Sequence, residues 1–222
     1  MRSERTRKLV TLAMLSALAY LIMLVKTPPI FPAVPFLRYE AKDVIIAIGG
    51  FIFGPLSALA MSVVVAFIEM ITVSETLIYG AVMNALSSCT FACTAAFVYK
   101  KRRTILGATA GLVCGIVVTV PVMLLWNYLI VPLYLGVPRT VIATMLVPYF
   151  LPFNLIKYGL SAAITMLVYR PVRAALDKAR LHPVSVVEGS KPSKKLNIGA
   201  VLVSLFVIIT CVLLILSYQG IV

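Results

Sequence analysis

Long apolar runs, separated by short clusters of charge, succeed one another along the chain. Leu9–Val25 is followed by a proline-rich stretch and then by the shorter Val44–Phe53, which stops at Gly54-Pro55. Leu56–Val73 closes at Ser74-Glu75, and Thr76–Tyr99 at Lys100-Lys101-Arg102-Arg103. Ile105–Val131 carries Pro121 in its interior, where a kink is expected. Val141–Tyr169 is interrupted by Pro148 and Pro152, which predicts a short interfacial segment and then a helix opening near Pro152, since proline suits a first turn. After the polar tract Arg170–Lys195, the run Leu196–Tyr218 is uncharged and long enough to cross a bilayer. The pattern predicts an all-α, polytopic membrane bundle with a six-helix core and a seventh, C-terminal transmembrane helix. Residues 1–172 form the core domain, 26–43 an external loop within it, 173–195 a basic linker and 196–222 the added helix.

Composition narrows the class. Hydrophobic residues make up 62% of the 222 and charged ones 12%, with a mean hydropathy of +1.07. A soluble domain has no use for so much apolar surface. The net charge of +13 invites a nucleic-acid reading, but the basic residues are clustered between apolar runs, as a topology signal is. Arg2, Arg5, Arg7 and Lys8, then Lys100–Arg103, then Arg170, Arg173, Lys178, Arg180, Lys191, Lys194 and Lys195 fall on one side if every run crosses. Lys26, Arg38, Lys42 and Arg139 remain for the other side. The N-terminus is therefore expected in the cytoplasm and, with seven crossings, the C-terminus outside. The first run leads into Lys26-Thr27-Pro28-Pro29 rather than a small-residue cleavage site, so no cleavable leader is expected.

Polar residues inside the spans are costly and point to function. At about 1.5 Å per residue, Glu69, Asn84, Asn127, Asn154 and Lys157 all fall in the outer half of their spans, whereas the inner halves are almost purely apolar. Asn154 and Lys157 share a helix face, three residues apart. Convergent polar groups in an apolar surround, open to one side, describe a binding cavity. Each residue also has a plainer use. Lys157 at an edge would snorkel, Glu69 would serve as an interhelical partner or as the counter-ion of Lys157, and Asn84 would join helices.

The stretch Lys26–Asp43 holds Pro28, Pro29, Pro32 and Pro35 and is not helical throughout. Long ordered loops of this kind serve more often as lids than as spacers. Ile30, Phe31, Val34, Phe36 and Leu37 would close over an outward-facing pocket, with Tyr39 and Asp43 at its rim. The other use is a loop lying on the lipid headgroups.

Several chemistries have no carrier. There is no phosphate-binding Gly-x-x-x-x-Gly-Lys-Ser/Thr loop, no His-Glu-x-x-His and no Gly-x-Ser-x-Gly, and the one histidine, His182, lies in the basic linker. Cys89, Cys93, Cys114 and Cys211 all lie within apolar runs, so no disulfide framework is expected. Cys89 and Cys93 share a face without another soft ligand nearby, which fits packing better than metal. No metal or cofactor is expected. No internal repeat of the alternating-access kind is visible, so transport by this chain would need a separate motor.

Residues 8–172 resemble the substrate-binding S components of energy-coupling factor (ECF) vitamin transporters, and among them the riboflavin-binding members. The resemblance rests on Ala13-Met14-Leu15-Ser16-Ala17, Phe36–Val44, Gly50–Leu56, Met83-Asn84, Trp126–Tyr134 and Pro152–Lys157. It implies ligand contacts from Asn127, Asn154 and Lys157, and docking of the transmembrane T component on Ala13 and Ala17, whose spacing permits close backbone approach. It also implies two cytosolic ATPases as partners, the membrane as setting, and riboflavin as transported ligand. The residue chemistry agrees with such a ligand. An amide both donates and accepts, as an imide edge requires. Asn84 and Glu69 add polar contacts, and Tyr39, Leu37, Tyr128 and Trp126 offer apolar or aromatic surface. The C-terminal run departs from the six-span pattern. Two other readings stay open: an S component for another vitamin such as biotin, and a small membrane enzyme using Glu69 and Lys157.

Overall fold

The computed structural model describes residues 2–25, 27–73, 77–178 and 198–220. Lys26, Ser74, Glu75 and most of the basic linker, His182 included, lie outside the described residues. The helices are α1 (Arg2–Met23), α2 (Lys42–Phe53), α3 (Pro55–Thr72), α4 (Leu77–Lys101), α5 (Ile105–Leu135), α6 (Arg139–Met145), α7 (Leu151–Lys178) and α8 (Ile198–Tyr218). Among the described residues six helical stretches are long and apolar enough to cross a membrane, α8 included. The chain is a multi-pass, all-α membrane bundle.

The second apolar run departs from the others. α2 has 12 residues, about 18 Å of helix, and is too short to cross alone. Every residue from Lys42 to Ile52 is buried. It forms the centre of the bundle, surrounded by α1, α3, α4 and α7. Such a helix needs no polar face, and from Val44 to Phe53 it carries no charged side chain. Gly54, with φ of 93°, breaks it from α3, and Pro55 opens the next helix where its missing N–H costs nothing. Two charges, Lys42 and Asp43, open this buried helix, two residues ahead of the apolar run Val44–Phe53.

α5 runs through both Pro121 and Pro132 to Leu135, beyond the expected end at Val131. It stops at Gly136 in the left-handed conformation, whose N–H reaches the Pro132 carbonyl. The sixth run divides at its two prolines. α6 leads into a π-helical turn, Leu146–Phe150, containing Pro148, and α7 then begins with Pro152 as its second residue. This is the short segment plus new helix that the two prolines predict. α7 also continues past Tyr169 to Lys178, so the first part of the linker is helical.

α4 and α5 are held by a row of small residues. A Cβ on Gly111 would lie 2.5 Å from the Ala95 carbonyl oxygen, and one on Gly115 2.9 Å from that of Phe91. Backbones this close replace the missing hydrophobic drive between helices in lipid with dispersion contact. Gly111→Val is expected to push the two helices apart and cost about 1–3 kcal/mol. A thermal unfolding midpoint in detergent equal to that of the unaltered chain would refute this.

Candidate functional site

The loop between α1 and α2 folds into the bundle end instead of lying across it. Ile30 N–H donates to the Leu37 carbonyl at 3.0 Å, and Pro29 and Arg38 form an antiparallel bridge. This pins Ile30, Phe31, Val34 and Leu37 inward, where they share an apolar cluster with Val131, Ile142, Phe150, Phe153 and Ile156. Phe36, expected with them, is partly exposed and packs edge-on to Tyr134 with centroids 6.1 Å apart. The described part of the loop is thus packed into the end of the bundle.

Beneath it lies a cavity of about 60 Å³ lined by Phe36, Leu37, Arg38 and Glu40 from the lid, and by Met83, Asn84 and Ser87 from α4. Met123 and Asn127 of α5, and Phe153, Asn154, Lys157 and Tyr158 of α7, complete the wall. Three asparagines and a lysine from three helices therefore meet Leu37 in one space. Each arrives by helical register: Asn84 and Ser87, Met123 and Asn127, and Asn154 and Lys157 are pairs three or four residues apart. The π-helical turn sets the α7 pair. It shifts the ladder by one residue, and the Asn154 side chain donates to the Phe150 carbonyl at 2.7 Å.

Lys157 does not snorkel. Only 6% of it is exposed, and its Nζ lies 3.6 Å from Asp43 Oδ2 and 5.6 Å from the centre of the Tyr158 ring. Asp43, expected at the rim, is fully buried and accepts a hydrogen bond from Ser88 at 2.5 Å. Glu69 is not the counter-ion of Lys157. Its Oε2 lies 2.5 Å from Lys42 Nζ, and its Oε1 accepts from Asn84 Nδ2 at 2.6 Å. Lys42 also pairs with Glu40 of the lid at 2.8 Å. Two ammoniums thus face three carboxylates in a low-dielectric interior, where an unpaired charge is expensive. Lys42 ties the lid to α3 through its two carboxylates, and Lys157 ties α7 to α2. The Lys42-Asp43 pair at the head of an apolar run was the available signal for this network.

Glu69 stands behind the cavity, in contact with it through Asn84. Tyr39 and Tyr128 are absent from the lining. The Tyr39 hydroxyl instead receives a hydrogen bond from Ser161 at 3.4 Å, and burial pushes its phenol up to about 12, so it stays neutral. Burial alone would raise the Glu40 carboxyl, but the ammoniums of Lys42 and Lys157 outweigh it and hold it below the ordinary value of 4.5. Glu40 is thus charged, and its contribution to lid closure is complete at neutral pH and lost only as pH falls through that lowered value.

Chemically the cavity combines apolar and aromatic faces (Phe36, Leu37, Met83, Met123, Phe153) with amides that donate and accept and one ammonium that donates. Its volume is well below the roughly 300–1,000 Å³ of ligand sites, so its wall must open to admit a ligand of that size. On the outer surface of α1, Ala13 and Ala17 are both exposed, facing away from the bundle.

Residues 7–169 match the family model described as "ECF transporter, substrate-specific component". The chain is 27% identical over 175 residues to "Riboflavin transporter RibU" of Staphylococcus aureus, covering 75% of this chain and 90% of that protein. It is 27% identical over 186 residues to "Riboflavin transporter FmnP" of Bacillus subtilis, covering 79% of this chain and 97% of that one. A solved chain from "Structure and mechanism of the S component of a bacterial ECF transporter" superposes with a TM-score of 0.66 at 26% identity, over 78% of this chain and 98% of its own.

Proposed function

The chain belongs to the substrate-specific components of ECF transporters, and from that premise we propose that it captures riboflavin beneath the lid and delivers it across the membrane. Membership makes it a transport component and not an enzyme. The observation that carries the ligand assignment is the convergence of Asn84, Asn127, Asn154 and Lys157 on one apolar space, in a chain similar to two proteins named as riboflavin transporters. The flat ring system of a flavin suits the slot between Leu37, Met83, Met123 and Phe153. Its dione edge suits an asparagine amide, and its polyol suits the remaining amides and the ammonium. Glu69, through its bond to Asn84, orients that amide; Tyr39, bonded to Ser161, supports the lid from outside the cavity.

The motor lies outside this chain. A T component and two cytosolic ATPases would drive release, with Ala13 and Ala17 on the exposed face of α1 as the docking stripe. The clustered basic residues favour an N-terminus in the cytoplasm and the lid outside. The core domain then spans 1–172 with the lid at 26–43, followed by a linker over 173–195 and an added helix over 196–222.

Riboflavin fluorescence is expected to be quenched on titration with the purified chain. Asn127→Ala is expected to weaken binding about tenfold, the value of one hydrogen bond whose partner is left unsatisfied. A chain that leaves flavin fluorescence unchanged but binds biotin or thiamine would refute the ligand and leave the family standing.

A further inference from the structure

α8 lies beyond the residues that match the family, which end at 169. Family membership therefore says nothing of what this helix does. It packs along α7, with Ser204 and Cys211 buried while Leu202, Val203, Phe206, Ile209 and Leu213 stay exposed. A Cβ on Gly159 would lie 3.9 Å from Cys211 Sγ, so α8 rests close on α7 at that level. Val207, Ile208 and Ile215 join the same apolar cluster as the lid residues Ile30, Phe31, Val34 and Leu37. α8 is thus packed against the site region and does not merely span beside it.

Its last turn reaches the lid directly. The Tyr218 ring meets Phe31 edge-on, with centroids 4.5 Å apart. Gln219 Nε2 donates to the Pro29 carbonyl at 2.9 Å, joining residues 190 positions apart. The Ile215 carbonyl accepts from Gln219 N–H at 3.0 Å, and the Ser217 carbonyl from Gly220 N–H at 3.1 Å. The side chain that holds the lid is therefore itself fixed by the helix end.

These contacts fall on the outer limb of the lid, at Pro29 and Phe31. The cavity-facing limb is Phe36–Arg38. The two limbs are joined by the Ile30–Leu37 hydrogen bond and the Pro29–Arg38 bridge, so restraint applied at Pro29 reaches the lid residues that wall the cavity. We propose that the C-terminal helix is a latch: Tyr218 and Gln219 are positioning residues that hold the lid closed and slow exchange of ligand. The vitamin named under the functional proposal supplies the ligand, but the latch itself rests only on lid contacts.

The test separates the two. In the full-length chain, Val34→Cys places a thiol on a buried lid position, and its modification by a charged, membrane-impermeant maleimide reports lid opening without ligand. Adding Tyr218→Ala and Gln219→Leu is expected to speed labelling about tenfold or more, from one hydrogen bond and one aromatic pair lost. Gln219→Leu alone is expected to give about fivefold. Cys89 and Cys93 of α4, followed in the same variants without Val34→Cys, are expected to label at unchanged rates. Equal Val34→Cys labelling with and without the latch residues would overturn the proposal. So would faster labelling of Cys89 and Cys93, which would make α8 a general brace of the bundle. Riboflavin release, measured alongside, is expected to accelerate with labelling. A wild-type chain that binds no riboflavin defeats the vitamin assignment, while the labelling still decides the latch.

Discussion

Lys157→Ala is expected to lower riboflavin affinity by about two orders of magnitude. A charge-assisted hydrogen bond is worth about 1.5–3 kcal/mol, and each 1.4 kcal/mol is about tenfold in affinity. The same change takes from Asp43 its cation at 3.6 Å, leaving a fully buried carboxylate held by Ser88 alone. That strands a charge and destabilises the fold as well. The two effects separate in a second variant. Adding Asp43→Asn to Lys157→Ala is expected to restore the thermal midpoint while affinity stays low. Affinity unchanged in both Lys157→Ala and Asn127→Ala would remove this cavity as the ligand site. Full recovery of affinity in the double variant would make Lys157 a structural partner of Asp43 and nothing more.

Lys42→Met is expected to be the most destabilising single change in the network. The ammonium is buried between Glu40 and Glu69, and a methionine of similar length leaves both carboxylates without a cation in a low-dielectric interior. Breaking a buried pair in this way costs about 3–5 kcal/mol. It is also expected to loosen the lid, because Glu40 is the lid's ionic tie to the bundle. Glu69→Gln in the same chain should recover part of the loss, since a neutral amide still pairs with Asn84. A Lys42→Met chain that unfolds at the wild-type midpoint would show that Glu69 and Glu40 find other partners, and would end this account of the network.

The two predictions share a cause that hydropathy does not display. Lys42 and Asp43 stand at the head of the most deeply buried helix and serve opposite neighbours, one α3 and the lid, the other α7. From the chain alone, Glu69 and Lys157 are the conspicuous charges and are naturally paired with each other. The structure gives each a different partner because α2 lies between them. A 12-residue run is easily taken for one more lipid-facing span, when its full burial makes it the axis around which the other helices are arranged.

Much of the site was still readable. Depth along the spans picks out Asn84, Asn127, Asn154 and Lys157, and they do line one cavity. Depth works because a polar group in lipid is costly enough that its position is never idle. Leu37 was readable as part of an apolar lid, because four prolines exclude a continuous helix there. Tyr39 and Tyr128 were not separable from the lining. An aromatic residue is equally at home facing a ligand, a neighbouring helix or the interface, and only packing chooses. Glu69 was legible as a costly residue but not as the acceptor that holds Asn84 from behind the cavity.

By itself, then, the sequence determined the all-α membrane class, the bounds of most helices, the proline-broken loop ahead of α2, and which polar residues share a level. These follow from one-dimensional quantities: apolar run length against bilayer thickness, proline against helix, and charge against hydrocarbon. Only the tertiary structure decided that α2 is core, that Lys42 and Asp43 divide the buried charges between them, and that the far end of the chain closes on the lid. Those depend on which helix faces meet. Residues 190 positions apart, as Pro29 and Gln219 are, come together only because α8 runs back along α7 to the end where the lid begins.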